Sequence, residues 1–382
     1  MNIIITTPQV PTPDFPGNIY VIEQARALLQ QGHKVLILCA WQQRGVCPKY
    51  DFRETKDRQN QIQIIQVGYP VVRGASYLPC VIGLIWAVAK IQHIFKPDLI
   101  HSHVILPVGF AATIAGKFFQ LPVLLTEHWG PISELTNRWS TFWGMRFALR
   151  QADQTIAVSQ SLKKELVFVT EKFSDIKVIP NLLNPSIFYP EPDKQDSSSL
   201  VDILFVGRGG DSRKGNRLML QAFAAALPRM SKPIRLILVG KNLEQELSEM
   251  ARELKIEPAC DFVGSLLPEQ LGERMRRCAF LVVASLYETF SLVLIEAMAC
   301  GKPVIATRCG GPEELVTTAT GVLVPPNDVE ALSKAIENMS QAYCQYDAGF
   351  IARYALDNFG EQVVARQLTK LYEGVVRERC ER

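Results

Sequence analysis

The chain runs twice through one plan, and that repetition constrains its fold more than any other feature. Residues 2–6 and 202–206 are short apolar, β-prone runs, each followed by a Gly- or Pro-containing loop and then a stretch of helical periodicity. Similar runs recur at 34–39, 62–67, 98–102, 123–126, 154–158 and 177–179, and again at 234–239, 261–263, 280–283, 303–306 and 322–324. Helical patterns lie between most of them. Short apolar runs alternating with helices are strands buried on both faces, the mark of parallel sheets in doubly wound α/β domains. A length of 382 residues fits two such domains of roughly 150–200 residues each.

Residues 180–199 are rich in Pro, Ser and Asp and carry no period, as a linker would. The expected division is an N-terminal domain at 1–184, a linker at 185–199 and a C-terminal domain at 200–360. An amphipathic helix follows at 361–382, able to pack back on either domain, the N-terminal one included. Hydrophobic content of 48% and charge of 21% are those of an ordinary globular protein. A net charge of +3 gives no argument for a nucleic-acid partner; it permits weak attraction to anionic headgroups without requiring it. Nine cysteines without a Cys-x-x-Cys spacing fit buried thiols in a reducing cytoplasm. The first residues lack a basic n-region, so no signal peptide is expected. The longest apolar run, 78–89, falls short of the ~20 residues that a membrane span needs, so no crossing is expected.

Two carboxylates eight residues apart, Glu288 and Glu296, bracket the most informative segment. Leu292, Ile295, Met298 and Ala299 share a helical face, and Gly301-Lys302-Pro303 stops the helix. The turn before Leu292 then offers free backbone N–H groups beside two carboxylates. Amides suit a phosphate and carboxylates suit hydroxyls, and a ligand carrying both is a sugar nucleotide. Upstream, Gly207-Arg208 and Lys214-Gly215 follow a strand and precede a helix, so both cations can serve one site at the strand's carboxyl end. A nucleoside diphosphate carries roughly two negative charges, and each charge-assisted hydrogen bond to it contributes about 1.5–3 kcal/mol. Two solvated loop charges are the plainer alternative. A dinucleotide fingerprint is excluded, because Gly207-Arg-Gly209-Gly210 lacks the third glycine of Gly-x-Gly-x-x-Gly.

Residues Glu288 to Gly301 resemble the donor-binding signature of the retaining glycosyltransferases of family 4, and Gly207-Arg208 with Lys214-Gly215 resembles that family's diphosphate clamp. The Arg-to-Lys spacing is one residue longer than the common form, which leaves Arg213 as an alternative cation. Asp98-x-x-His101-x-His103 looks like the family's acceptor-side wall, whose second histidine faces the donor sugar. Thr126-Glu127-His128 is similar to its Thr-x-His loop. From spacing alone His101, His103 and His128 also allow a metal site, whereas the resemblance implies none. Gly17 stands where many members carry a glycine pair, here Gly17-Asn18. Ser291 replaces the glycine often found between Phe290 and Leu292 but keeps the amide. Residues Pro180-Asn181, Phe262-Val-Gly264 and Gly310-Gly311-Pro-Glu313-Glu314 fit as well.

The resemblance implies the GT-B architecture, two Rossmann-like domains facing a central cleft. It implies retaining transfer of a sugar from a nucleoside diphosphate sugar to an acceptor hydroxyl, in surface polysaccharide or glycolipid assembly. Glu296 would hold the ribose and Glu288 the transferred sugar. Arg208, Lys214 and the amides of Phe290, Ser291 and Leu292 would steady the leaving diphosphate. His103 would stand beside the sugar, with Gly17 on the donor side and His128 on the acceptor side. No cofactor is implied beyond the nucleotide sugar. The other partner would be a sugar or lipid-linked sugar, met in the cytoplasm or in peripheral contact at the membrane's cytoplasmic face. A same-fold epimerase, a phosphorylase or a non-catalytic sugar-nucleotide-binding subunit are the alternatives. Residues 139–147, aromatic and basic, suit a lipid-facing helix, but such a stripe at helical spacing is more often core; residues 78–89 share the ambiguity.

Overall fold

The computed structural model describes residues 1–11, 18–43, 50–56, 62–70, 77–170, 176–191 and 200–381. Gly17 and residues 192–199 of the expected linker lie outside the described residues. The chain divides into two compact units, Met1–Leu182 with Glu361–Arg382, and Leu183–Gly360.

In the first unit the order is β1 (Asn2–Thr7), α1 (Ile19–Gln30), β2 (Lys34–Gln43), β3 (Asp51–Lys56), β4 (Gln63–Pro70), α2 (Leu78–Phe95) and β5 (Leu99–His103). It continues with α3 (Phe110–Phe119), β6 (Val123–Glu127), α4 (Ile132–Leu135), α5 (Trp139–Gln151), β7 (Gln154–Ala157), α6 (Gln160–Thr170) and β8 (Ile176–Val178). Eight strands form one sheet in the order β3-β4-β2-β1-β5-β6-β7-β8. Every pairing is parallel except β3 with β4, which is antiparallel. That edge strand departs from the all-parallel expectation, and its charged sequence, Asp-Phe-Arg-Glu-Thr-Lys, explains why no apolar run announces it.

The second unit runs β9 (Val201–Val206), α7 (Asn216–Ala226), β10 (Ile234–Val239), α8 (Leu243–Glu253), β11 (Cys260–Gly264), α9 (Pro268–Arg277) and β12 (Phe280–Val283). Then come α10 (Leu292–Ala299), β13 (Val304–Thr307), α11 (Pro312–Leu315), β14 (Gly321–Val324), α12 (Val329–Ala342) and α13 (Ala348–Phe359). Its six strands are all parallel, in the order β11-β10-β9-β12-β13-β14. The order reverses beside β9 here and beside β1 in the first sheet. At such switch points the loops at the carboxyl ends of strands part and ligands bind.

The two units part between Leu182 and Leu183, ahead of the linker expected at 185–199. Leu183 N–H donates to Phe359 O at 2.9 Å, Phe188 is buried, and Arg276 donates to Ile187 O at 2.9 Å. Residues 183–191 are therefore pinned to the second unit by contacts that composition does not show. The last helix, α14 (Glu361–Glu381), belongs to the first unit, where Arg26 pairs with Glu361 and His33 Nε2 meets Thr369 Oγ1 at 2.9 Å.

Two sequence expectations about helices need correction. The apolar run at 78–89 is part of an 18-residue helix, α2, which by length and composition alone is sufficient to cross a membrane. It is instead the crossover between β4 and β5, with Cys80, Leu84, Ala87, Val88 and Ile91 buried in the unit. In α5 the stripe Trp139, Trp143 and Phe147 is exposed rather than core. The helix buries its other face through Gly144, Met145, Ala148 and Leu149, with Gly144 giving the close approach to the Tyr77 ring.

Candidate functional site

In the second unit, β9 and β12 stop side by side, and the loops that leave them carry the cations and the first carboxylate. Gly207 and the exposed Arg208 follow β9; a short turn, Ser212–Lys214, then leads into α7. Gly215 between them has φ +64°, and a Cβ there would lie 1.9 Å from Ala284 O. Only glycine lets this loop touch the end of β12. The contact is locked by Leu286 N–H donating to Arg213 O at 2.7 Å.

This brings Lys214 to Glu288. The ammonium donates to Glu288 Oε1 at 2.7 Å, and Ser285 Oγ donates to the same oxygen at 2.8 Å. The Glu288 side chain is 11% exposed and that of Lys214 36%. Glu288's backbone is fixed too, its N–H donating to Cys309 O at 3.1 Å and its carbonyl accepting from Gly311 N–H at 2.8 Å. Arg213, the alternative cation, is turned to Asp211, with Nε at 3.0 Å and Nη2 at 3.2 Å.

Four residues on, α10 begins without a side-chain cap and without an acidic residue in its first turn. By contrast, α12 and α13 are capped by Asp328 and Asp347, which accept from Ala331 N–H at 2.9 Å and Phe350 N–H at 2.8 Å. The first amides of an α-helix have no intrahelical acceptor, so Ser291, Leu292 and Val293 present donors and the positive end of the helix dipole. Ser291 reaches this position at φ +85°, a left-handed conformation that explains why glycine would be at home there. Phe290 is buried against Phe359 at 5.8 Å between ring centroids and anchors the turn. Glu296 lies on the second turn of α10 and is half-buried.

The first unit gathers a different set at the ends of β5 and β6. His101 and His103, two residues apart on β5, point to one face of the sheet, and both are fully buried. Gln24 Nε2, from α1, lies 3.1 Å from His101 Nδ1 and 3.3 Å from His103 Nε2. An amide nitrogen only donates, so both ring nitrogens accept. The proton of His101 then sits on Nε2, donated to Thr126 Oγ1 at 2.7 Å; that of His103 sits on Nδ1, donated to His128 Nε2 at 2.8 Å. Tyr372 of α14 completes the chain with its hydroxyl 2.7 Å from His101 Nδ1. Tyr20 stacks on His128 at 3.7 Å, and the Asn181 side chain is a further neighbour of that ring.

All three imidazoles are neutral. Burial pushes His101 and His128 down to about 3, and burial with the two neighbouring rings pushes His103 well below the ordinary value. Among the described residues no group of three or more His, Cys, Asp or Glu is arranged to hold a metal, the ring nitrogens being committed to one another and to Gln24. Beneath them Glu127 is fully buried and accepts from the N–H groups of Ile105 at 3.0 Å and of His128 and Trp129 at 2.9 Å each. Burial raises its pKa, against those three bonds. It shapes the loop that presents His128. Val104, next to His103, sits at φ +71°, strained for a β-branched residue, as backbone at working sites often is.

The structure thus brings Lys214 to Glu288 and His103 to His128, sets Phe290, Ser291 and Leu292 at a helix start, and leaves Arg208 exposed on the same loop as Lys214. Sequence reasoning passed over Ser285, Gln24, Tyr20, Tyr372 and the role of Glu127. A polar Gln24 on the apolar face of α1 was the one local signal.

Family models match both halves: "Glycosyltransferase Family 4" over residues 17–186 and "Glycosyl transferases group 1" over residues 192–347. The chain belongs to the family 4 glycosyltransferases. It is an enzyme of the GT-B fold class that acts on a nucleoside diphosphate sugar. It is 25% identical over 374 residues to the N-acetyl-alpha-D-glucosaminyl L-malate synthase of Bacillus anthracis, covering 93% of each chain. In structure it resembles a sucrose-phosphate synthase from Thermosynechococcus elongatus, with a TM-score of 0.77, 23% identity and coverage of 98% of this chain and 99% of that one. It also resembles the Anabaena protein HepE in complex with UDP, with a TM-score of 0.74, 20% identity and coverage of 98% and 100%.

Proposed function

We propose that this glycosyltransferase transfers its sugar with retention of configuration to a hydroxyl of a sugar or lipid-linked sugar acceptor, in surface polysaccharide or glycolipid assembly on the cytoplasmic side of a membrane. The observation that carries the donor half is the Lys214–Glu288 pair beside the uncapped start of α10. A diphosphate there would draw Lys214 from Glu288 and take the α10 amides, exchanging one charged partner for another. Glu288 would then be released to the hydroxyls of the transferred sugar, still held by Ser285. Glu296 takes the ribose, and Arg208 adds a second cation. Negative charge grows on the diphosphate as the glycosidic bond breaks, and prearranged donors stabilise that charge most.

In this reading Glu288 holds hydroxyls rather than the anomeric carbon, and the acceptor hydroxyl attacks from the face the diphosphate leaves. A diphosphate oxygen takes its proton. His103 and His128 serve the sugar and acceptor side as neutral, fixed groups; neutrality keeps them from repelling an oxocarbenium-like sugar. UDP-sugars are the first donors to test, because HepE, alike in fold, is seen with UDP and with UDP-glucose. Thermal stabilisation by UDP-, GDP- and ADP-sugars identifies the donor; ligand at about 100 times its Kd stabilises by about 2.7 kcal/mol. NMR of the product's anomeric proton then tests retention, and an inverted linkage would remove the front-face route.

A further inference from the structure

Along α5, Trp139, Trp143 and Phe147 recur every fourth residue and so form one stripe, and they are 79%, 48% and 39% exposed. The stripe continues onto neighbouring helices. Phe110 of α3 packs on Phe147 at 5.3 Å and on Tyr77, just before α2, at 5.0 Å; Leu78 and Ile82, one turn apart on α2, are 59% and 46% exposed. These three helices contain no Asp or Glu, yet they carry Lys90, Lys117, Arg146 and Arg150, with Arg138 directly before α5. The chain as a whole is balanced, with 41 Lys and Arg against 38 Asp and Glu, so the skew is local.

We propose that the surface of α2, α3 and α5 docks on a bilayer containing anionic phospholipid, with the indoles of Trp139 and Trp143 at headgroup level and the exposed Arg138 and Arg150 toward the phosphates. Indole rings favour that interface, and basic groups gain there from the negative surface potential. The acid-free helices add no opposing charge. Exposed apolar groups on the outward sides of adjacent helices suit a plane better than a ligand that needs a groove. The contact is peripheral, because the other side of α2 is buried in the unit. It stands independently of the sugar-transfer reading.

The test is co-sedimentation of the whole chain with vesicles of phosphatidylcholine alone or with phosphatidylglycerol added, at low and high salt. Binding should require the anionic lipid and weaken severalfold with salt. Trp139→Ala with Trp143→Ala should lower it by about tenfold. Arg138→Gln and Arg150→Gln should each lower it by about fivefold. Phe168→Ala, on α6 and 80% exposed, should leave it unchanged. Absence of wild-type binding overturns the proposal, as does binding indifferent to anionic lipid and to the tryptophans. A stripe that instead holds two copies together, with the tryptophan variant turning monomeric without lipid, also overturns it. If that variant fails to fold, quenching of wild-type tryptophan fluorescence by brominated lipid decides the same point, an unquenched signal counting against docking.

Discussion

At the strand ends of the second unit, Lys214 and Glu288 meet as ions at 2.7 Å, the lysine still 36% open to solvent. At the strand ends of the first, His103 and His128 meet as neutral rings at 2.8 Å, with 0% and 7% of their surface exposed. The first arrangement is one that a charged ligand can take apart, since each partner is cheaply re-paired. The second is held by Gln24, which also bonds the His101 that Thr126 and Tyr372 fix, and by the loop that Glu127 orders, so it resists rearrangement. The contrast fits a division of labour in which the second unit exchanges partners and the first holds shape.

The sharpest way to break that contrast is at the two carboxylates. Glu288→Gln should lower kcat by about 100- to 1,000-fold, because the contact proposed for it tightens as the sugar gains positive charge. Glu296→Gln, at the residue proposed to hold the unreacting ribose, should mainly raise the donor KM. Steady-state kinetics with saturating acceptor decide it. Loss of kcat in the Glu296 variant alone would swap the two roles.

Next in size are the cations. Lys214→Ala should weaken nucleoside diphosphate binding by roughly 10- to 150-fold, and Arg213→Ala should barely change it, because Arg213 is already spent on Asp211. Calorimetric titration with the diphosphate gives both numbers. A larger loss from Arg213 would mean that the extra residue in this loop hands the clamp to the arginine.

How far each region was legible follows from how its residues are brought together. The proposed donor site lies in two short segments, 207–215 and 288–301, where cations, glycines and carboxylates stand out against apolar neighbours. Sequence alone could name them. Ser285 was missed because a serine after a strand has no signature. In the first unit, His103 and His128 were legible at strand ends, but the groups that fix them were not. Tyr372 lies 271 residues from His101 and arrives only because α14 returns to this unit. Periodicity was equally blind to direction in α5, where it showed a stripe without showing which side of the helix the unit would bury. The fold read well wherever strands were apolar, and failed at β3, whose edge position needs no apolar run.

The buried rings also make a prediction about pH. Folded His101 and His128 titrate near 3, whereas exposed histidine titrates near 6.5. Between those values the unfolded chain takes up protons that the folded chain refuses. Stability is therefore full above about 6.5 and lost as pH falls, at up to about 1.4 kcal/mol per pH unit for each ring. Glu127 works the other way, since its folded carboxyl takes a proton first, but it is one group against three rings. Urea midpoints at pH 7, 6 and 5 should fall, and His101→Asn should flatten the slope. A flat profile would show that water reaches these rings, and the rigid half of the comparison would fail.

The smallest effect tests a single backbone angle at the exchanging site. Ser291 is held at φ +85°, where a side chain costs about 1 kcal/mol that glycine does not pay. What the site needs from residue 291 is its amide, and both residues supply it. Ser291 makes no side-chain cap on α10, so removing the hydroxyl loses no bond to the helix start. Against the relief stands the greater freedom of glycine in the unfolded chain, roughly 0.5–1 kcal/mol. Ser291→Gly should therefore shift stability by under about 1 kcal/mol in either direction while leaving diphosphate affinity within about twofold. Urea unfolding and the same titration used for Lys214 measure both. A tenfold loss of affinity with unchanged stability would show that the serine hydroxyl itself holds the ligand, and that this chain has altered the helix-start site rather than merely strained it.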